Sequence, residues 1–113
     1  MPAHQGRACE NILSQTLVKP GTIVPMNYHF TTTKAHIMRN GGAVEEIIAS
    51  KGLEVCSTEP FKGDMDVARL QELVQQHGAE KIAFVRMEAG TNLIGGQPFS
   101  VQNLADIRKV CDQ

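Results

Sequence analysis

The sequence predicts an α/β fold whose sheet is mainly parallel. Stretches in which apolar residues recur with the period of a helix alternate with short apolar or β-branched runs, in the order α-β-α-β-α-β-α. The last of these runs, residues 81–87, has a continuous apolar centre, which is typical of a strand covered on both faces. The chain has 113 residues and 42% hydrophobic content, which is enough for the core of one domain.

The first helix is predicted to begin at or just after Gly6 and to end near Val18. Its apolar positions are Ile12, Leu13 and Leu17. A proline and a glycine at positions 20 and 21 form the turn that ends it. The β-branched residues 22–24 then predict a short buried strand, which we expect to end at Pro25 because proline has no N–H for a sheet.

A short second helix and a second strand are predicted next. The helix covers residues 34–38, with one of the threonines at 31–33 as its cap, and the glycine-rich residues 40–42 end it. Residues 43–48 predict the strand. We expect its two glutamates to lie at a sheet edge or at the strand end, because unpaired carboxylates are rarely buried.

The second half of the chain predicts two further helices on either side of the third strand. Asp64 or Asp66 caps the third helix, which ends at residues 77–78, and Ser100 caps the fourth. Ligands of parallel sheets bind beyond the carboxyl ends of the strands, so the loops after the strands are expected to carry the site. These loops are residues 25–33, 49–63 and 88–97.

Composition excludes several classes of function. The net charge of −1 does not suggest a nucleic-acid or membrane surface, and no run approaches the roughly 18 apolar residues that span a bilayer. The three cysteines are odd in number and widely spaced, and no leader peptide is recognised, so we expect a reducing, cytoplasmic location. No Cys/His spacing resembles a zinc site, and we predict no metal ligands in this chain.

A glycine and an arginine, Gly6 and Arg7, stand where the first helix is predicted to begin. The first turn of a helix presents unpaired N–H groups and the positive end of its dipole, and glycine lets a ligand approach the backbone. Arginine adds a forked, permanently charged set of donors. This pattern predicts a phosphate site at a helix start, and the alternative is a surface arginine beside an ordinary helix.

Three residues after the strands are candidates for contact with a planar ligand. Phe30 could cover the flat face of a ring, or it could be a core residue. Asn92 could donate its amide to a phenolate oxygen, or it could form an Asx turn. Thr31 could contact a ligand, although turn and capping roles are common for threonine.

Four further residues have side chains that could take part in catalysis, but the sequence does not identify a partner for any of them. Glu88 could act as an acid or base, or it could be a solvated loop carboxylate. His29 and His36 lack a placed carboxylate partner, so we interpret both as structural or solvated. Cys9 near a helix start could be a reactive thiol, or it could be a small packing residue.

Several strings of the chain, taken in order, resemble the aromatic amino-acid β-eliminating lyases, the family of tryptophanase and tyrosine phenol-lyase. The strings occupy positions 4–7, 10–15, 19–21, 30–33, 61–63 and 91–98, and read HQGR, ENILSQ, KPG, FTTT, FKG and TNLIGGQP. The resemblance covers nearly the whole chain, and the ordered set is more specific than any single string. It favours the phosphate interpretation of the helix start.

The resemblance implies a pyridoxal-phosphate enzyme with the fold of aspartate aminotransferase (fold type I), whose large domain has three layers, αβα. Such enzymes release pyruvate, ammonia and indole or phenol from an aromatic amino acid. By resemblance Gln5, Gly6 and Arg7 bind the cofactor phosphate, Phe30 stacks on the pyridine ring and Asn92 bonds its phenolic oxygen. Thr31 is implied on the substrate side and does not distinguish tryptophan from tyrosine. We place the tryptophanase type first and the tyrosine phenol-lyase type second.

The chain departs from the family pattern at three places. Ala8-Cys9 follows the arginine in place of Gly-Ala or Ala-Ala, and Tyr28-His29 replaces a Met-Tyr pair. Residues 86–90 replace a more apolar run before the asparagine. These differences suggest a divergent branch of the family and leave its substrate open.

Other parts of the family's site have no counterpart in the sequence. No lysine of the chain lies in a motif that matches the Schiff-base lysine, and the ligands for a monovalent cation such as potassium are also missing. We therefore interpret residues 1–113 as part of one large domain, cut at both ends, without a catalytic residue and inactive alone. The resemblance implies a homo-oligomer, a tetramer in the family, while exposed apolar faces of a fragment would favour self-association.

Two other functions stay open from the sequence. The first is a non-catalytic α/β module that binds a phosphate or a partner chain. The second is a split subunit whose partner chain carries the lysine. An in-frame continuation of the coding DNA with a lysine-bearing motif would favour the intact enzyme over both.

Overall fold

A computed structural model describes residues 2–113 as four helices and a pair of strands, joined by loops that contain three short 3-10 turns. The helices are α1 (Gly6–Leu17), α2 (Thr31–Arg39), α3 (Val67–His77) and α4 (Val101–Cys111), and the strands are β1 (Ile23–Met26) and β2 (Ala43–Glu46). The 3-10 turns are Ser50–Leu53, Ala79–Lys81 and Asn92–Ile94. None of the helices within residues 2–113 is long and apolar enough to cross a bilayer.

β1 and β2 pair in parallel, as predicted, with Ile23 opposite Ala43 and Met26 opposite Glu46. The predicted end of β1 at Pro25 is wrong, because the strand continues through that residue. Proline is tolerated here since its carbonyl accepts a hydrogen bond from the N–H of Arg86 at 3.0 Å, and only its own missing donor is lost. The predicted α/β class with parallel strands is confirmed.

The third predicted strand is wrong as a continuous element. Residues 82–86 meet β1 only at two isolated parallel bridges, Ile23 with Ile82 and Met26 with Arg86. Between these bridges the segment uses one residue more than β1 does. Pro25 has no N–H to donate toward this segment, so a regular ladder is interrupted where the extra residue lies.

The start of α2 also differs from the prediction. Phe30, with extended backbone, is the residue at the N-cap, and its side chain makes no capping bond. The threonines lie inside the first turn of α2, so none of them is the cap. The predicted end of α2 is confirmed, because Asn40 is the C-cap and Gly41 adopts a φ of 82°.

Local signals for the other helix ends are confirmed. Asp66, and not Asp64, caps α3 by accepting the N–H of Arg69 at 3.0 Å, and Gly78 ends this helix with a φ of 84°. Ser100 caps α4 by accepting the N–H of Asn103 at 3.0 Å. The carboxylate of Asp64 instead accepts the N–H of Ser100 at 2.6 Å, which fixes the approach to α4.

The apolar core consists of two clusters. Helices α1 and α2 pack together, as do α3 and α4. The first cluster contains Val18, Val24, Met26 and Ile37. The second contains Ile47, Met65, Leu70, Leu73, Ile107 and Val110. β1 contributes two fully buried residues to the first cluster, so the end of this strand is packed into the core.

Candidate functional site

The carboxyl ends of β1 and of segment 82–86 lie side by side, because Met26 pairs with Arg86. We call this end the carboxyl edge of the sheet. β2 ends at the same edge, where its Glu46 pairs with Met26. The loops that contain Phe30 and Asn92 both leave from this edge, as expected for parallel strands.

Asn27, the first residue after β1, binds two of these loops together. Its side chain is fully buried, and its Nδ2 donates to the carbonyls of Gly63 at 2.8 Å and of Glu88 at 3.2 Å. Its Oδ1 accepts the N–H of Glu88 at 2.8 Å. In the sequence Asn27 is only one polar residue of the predicted loop 25–33, although an amide directly after a buried strand was the available signal.

Helix α1 begins at Gly6, as the phosphate hypothesis requires. Gln5 is the N-cap residue, with extended backbone (φ −169°, ψ 164°) and no capping bond from its side chain. Apart from its chain neighbours and the backbone of its own helix, no atom of residues 2–113 lies within 4 Å of the position that a Cβ would take at Gly6, and Arg7 is exposed. The Cβ side of Gly6 and the side chain of Arg7 are therefore open at a helix start, which fits the requirements of a phosphate group.

Glu10, one turn further along α1, connects this helix to the start of α2. Its carboxylate accepts hydrogen bonds from the hydroxyls of Thr32 and Thr33, each at 2.5 Å and each to a different oxygen. The side chain of Glu10 is only 20% exposed. Sequence reasoning assigned Glu10 no role of its own, because its partners lie more than twenty residues away.

Arg86 extends this polar cluster to the loop that contains Asn92. Its Nη2 lies 2.5 Å from Oε2 of Glu88 and 3.9 Å from Oε1 of Glu10. The other guanidinium nitrogen, Nη1, is buried and has no acceptor within residues 2–113. The side chain of Glu88 is only 15% exposed, so its interpretation as a solvated loop carboxylate is wrong.

The predicted ring-contacting residues lie at loop and helix starts. Phe30 is half-buried at the N-cap of α2, and Thr31, the first residue of that helix, is exposed. Asn92 is exposed and begins a 3-10 turn, and its side chain makes no hydrogen bond within residues 2–113. Their meeting around one ligand stays a prediction, supported by the shared carboxyl edge.

His29 has a carboxylate partner, which corrects the sequence interpretation. Its Nδ1 lies 2.5 Å from Oε1 of Glu46, though without the alignment of a hydrogen bond, and the ring stacks on Tyr28. Lys34 donates to the same oxygen of Glu46 at 2.9 Å. Partial burial raises the pKa of Glu46, but the bond from Lys34 and the charges of His29 and Lys34 outweigh it and hold the pKa below its ordinary value.

One well-formed cavity lies away from these residues. It has a volume of about 430 Å³ and lies between α3, the end of α4 and segment 82–85, where Leu70, Val74 and Phe84 line it. It contains none of the predicted site residues. The candidate site is therefore an open surface at the carboxyl edge.

The structure defines an α/β unit with parallel strands whose polar loops gather at one edge. Residues 1–113 of the sequence match the family described as beta-eliminating lyase, and the chain belongs to that family. The resemblance inferred from the sequence strings is confirmed.

Curated relatives agree with this assignment. The chain is 47% identical over 110 residues, 97% of its length, to a protein named tyrosine phenol-lyase from Fusobacterium nucleatum. It is 40% identical over 113 residues to a tyrosine phenol-lyase from Symbiobacterium thermophilum and 42% identical over 113 residues to one from Pasteurella multocida. The chain spans about a quarter of the length of these relatives, 24% of the first and 25% of the other two.

Proposed function

We propose that this chain is the cofactor-binding part of a pyridoxal-phosphate-dependent β-eliminating lyase that acts on an aromatic amino acid. The observation that supports this most is the open start of α1 at Gly6, beside an exposed Arg7, in a chain that matches the family throughout. A surface arginine beside a closed, side-chain-capped helix start would not leave room for a phosphate.

The residues of this chain hold and orient the cofactor. In this proposal the backbone of Gly6 and the side chains of Gln5 and Arg7 bind the phosphate at the helix start. Phe30 covers the pyridine ring, and Asn92 donates its neutral amide to the phenolic oxygen without adding charge. Thr31 lies on the substrate side. When bound, pyridoxal phosphate supplies the electron sink that makes the α-proton of the amino acid removable.

We place tyrosine first among the possible substrates, as in the tyrosine phenol-lyase type, with tryptophan as the alternative. The sequence strings favoured the tryptophanase type, but the relatives named above carry the name tyrosine phenol-lyase. The products are then pyruvate, ammonia and phenol, or indole for tryptophan. Thr31 does not separate the two substrates.

The remaining properties of the whole protein are proposed on the same basis. They are a three-layer αβα large domain of fold type I, a homo-oligomer and a requirement for a monovalent cation whose ligands lie elsewhere. The three exposed, unpaired cysteines support a reducing, cytoplasmic location. The proposal also holds that the chain alone is inactive, because none of its lysines lies in a motif that matches the cofactor lysine.

Arg7→Ala tests the proposed phosphate site. Charge-assisted hydrogen bonds are worth about 1.5–3 kcal/mol each, so the affinity for pyridoxal phosphate is expected to fall by about tenfold or more. Arg39→Ala is the matched control, because Arg39 is an exposed arginine near the other end of α2. Equilibrium dialysis of the protein that contains this chain gives the two affinities. Equal affinities for the two variants would refute the site.

A further inference from the structure

We propose that Glu10 is a positioning residue that sets the separation between the phosphate-binding start of α1 and the ring-covering start of α2. The inference rests on the proposed cofactor site. Glu10 touches neither the phosphate nor the ring in this proposal, and it acts through the two helices that present Arg7 and Phe30.

The carboxylate of Glu10 is anchored close to both contact points. It lies four residues after Gly6 in α1, so it moves as one body with the phosphate site. Its partners Thr32 and Thr33 follow Phe30 by two and three residues, within the first turn of α2. Few flexible bonds therefore separate Glu10 from either end of the ligand site.

The geometry of these bonds constrains both distance and rotation. Each threonine hydroxyl donates to a different oxygen of Glu10, at 2.5 Å in both cases. A carboxylate held at two oxygens cannot slide or turn without breaking one bond. The first turn of α2 has no acidic residue of its own, so Glu10 also supplies the negative charge that the positive end of that helix favours.

Arg86 adds a third connection, toward the loop that presents Asn92. Its Nη2 lies 3.9 Å from Glu10 and 2.5 Å from Glu88, and Glu88 begins the loop that contains Asn92. Glu10 is thereby linked to all three proposed ligand-binding elements.

Correct separation matters only for a ligand that uses both ends of the site. A ligand with a phosphate and a ring gains affinity because binding at one end presents the other end at a high effective concentration. Inorganic phosphate uses the start of α1 alone and gains nothing from the position of Phe30. Loss of Glu10 should therefore affect the two ligands differently.

The test compares pyridoxamine phosphate with inorganic phosphate, by calorimetry on the cofactor-free protein that contains this chain. Pyridoxamine phosphate carries both the ring and the phosphate, and it forms no covalent bond with a lysine. Glu10→Gln is expected to lower the affinity for pyridoxamine phosphate by about tenfold, which is the scale of one charged hydrogen bond. The affinity for inorganic phosphate should stay unchanged within about twofold. Glu59→Gln, at an exposed position outside the site, is the control.

A second variant approaches the same bond from α2. Thr33→Val keeps the shape of the side chain and removes only its hydroxyl, so it tests the bond without removing a charge. It is expected to lower the affinity for pyridoxamine phosphate and not that for inorganic phosphate. Because both substitutions break the same bond, the double variant should lose less affinity than the sum of the two single losses.

Three outcomes would count against these expectations. The positioning role would be overturned if both variants lost affinity for the two ligands equally. It would also be overturned if their affinities changed no more than those of Glu59→Gln. An unmodified protein that binds pyridoxamine phosphate no more tightly than inorganic phosphate would instead refute the proposed function, on which the inference rests.

Discussion

Replacement of the buried Asn27 by alanine should release the loop that contains Asn92. The substitution leaves three backbone groups without their partner, the carbonyl of Gly63 and both the carbonyl and the N–H of Glu88. An unsatisfied buried group costs about 1–3 kcal/mol. Gly63 is buried and Glu88 half-buried, so we expect a local loss of about 3–5 kcal/mol for the three groups.

Hydrogen exchange at Glu88 measures this loss directly. A local loss of about 3 kcal/mol speeds exchange of this amide by roughly 10²-fold, since 1.4 kcal/mol corresponds to a factor of ten. The assay follows peptides that cover residues 83–92 by mass spectrometry, in the protein that contains this chain. Asn27→Asp serves as a second variant, because it keeps the acceptor for the N–H of Glu88 and should protect that amide better than alanine does.

Asn40→Ala is the matched control for Asn27→Ala. The amide of Asn40 donates to the carbonyl of His36 at 2.8 Å, but that carbonyl also accepts the backbone N–H of Asn40 at 3.3 Å. Its loss therefore leaves no group unsatisfied and should cost less than about 1 kcal/mol. If exchange at Glu88 were no faster in Asn27→Ala than in Asn40→Ala, the reasoning about the buried amide would be refuted.

Two other predictions concern pH and activity. The pKa of Glu46 lies below its ordinary value of 4.5, so its ion pair with Lys34 contributes stability that is fully present above that pH and is lost as pH falls through the lower folded pKa. Glu46→Gln should therefore flatten the acid side of a plot of unfolding midpoint against pH, and a plot as steep as that of Glu59→Gln would contradict this. The 113-residue chain alone should give no stoichiometrically labelled lysine after pyridoxal phosphate and borohydride, and no pyruvate from tyrosine or tryptophan. One labelled lysine with pyruvate formed, detected by mass spectrometry and a coupled assay, would show that the catalytic lysine is within this chain.

The features that the sequence predicted correctly depend on near neighbours. Asp66 and Ser100 cap helices through N–H groups three residues away, and Gly78 ends α3 in a backbone conformation that favours glycine. The start of α1 at Gly6 was likewise predicted from neighbouring residues. Each signal lies within one turn of its effect, so a single sequence contains it.

The errors arose where the deciding partner is distant in the chain. The threonines of α2 looked like caps because their acceptor, Glu10, belongs to another helix. Segment 82–86 looked like a complete strand because its interruption comes from Pro25, on a different strand. Asn27 looked like an ordinary loop residue because its partners are Gly63 and Glu88.

The extra residue opposite Pro25 makes the length of segment 82–86 as important as its composition. Side chains alternate between the two faces of a strand, so a shift by one residue reverses every position that follows. The extra residue sets which face Arg86 occupies when it pairs with Met26, and from there its guanidinium reaches Glu88 and Glu10. A deletion of one residue among positions 83–85 would leave every charge in the sequence but would remove this extra residue, on which the path of the chain from Ile82 to Arg86 depends. Tolerance to insertions and deletions should therefore be lower here than in the loops on either side.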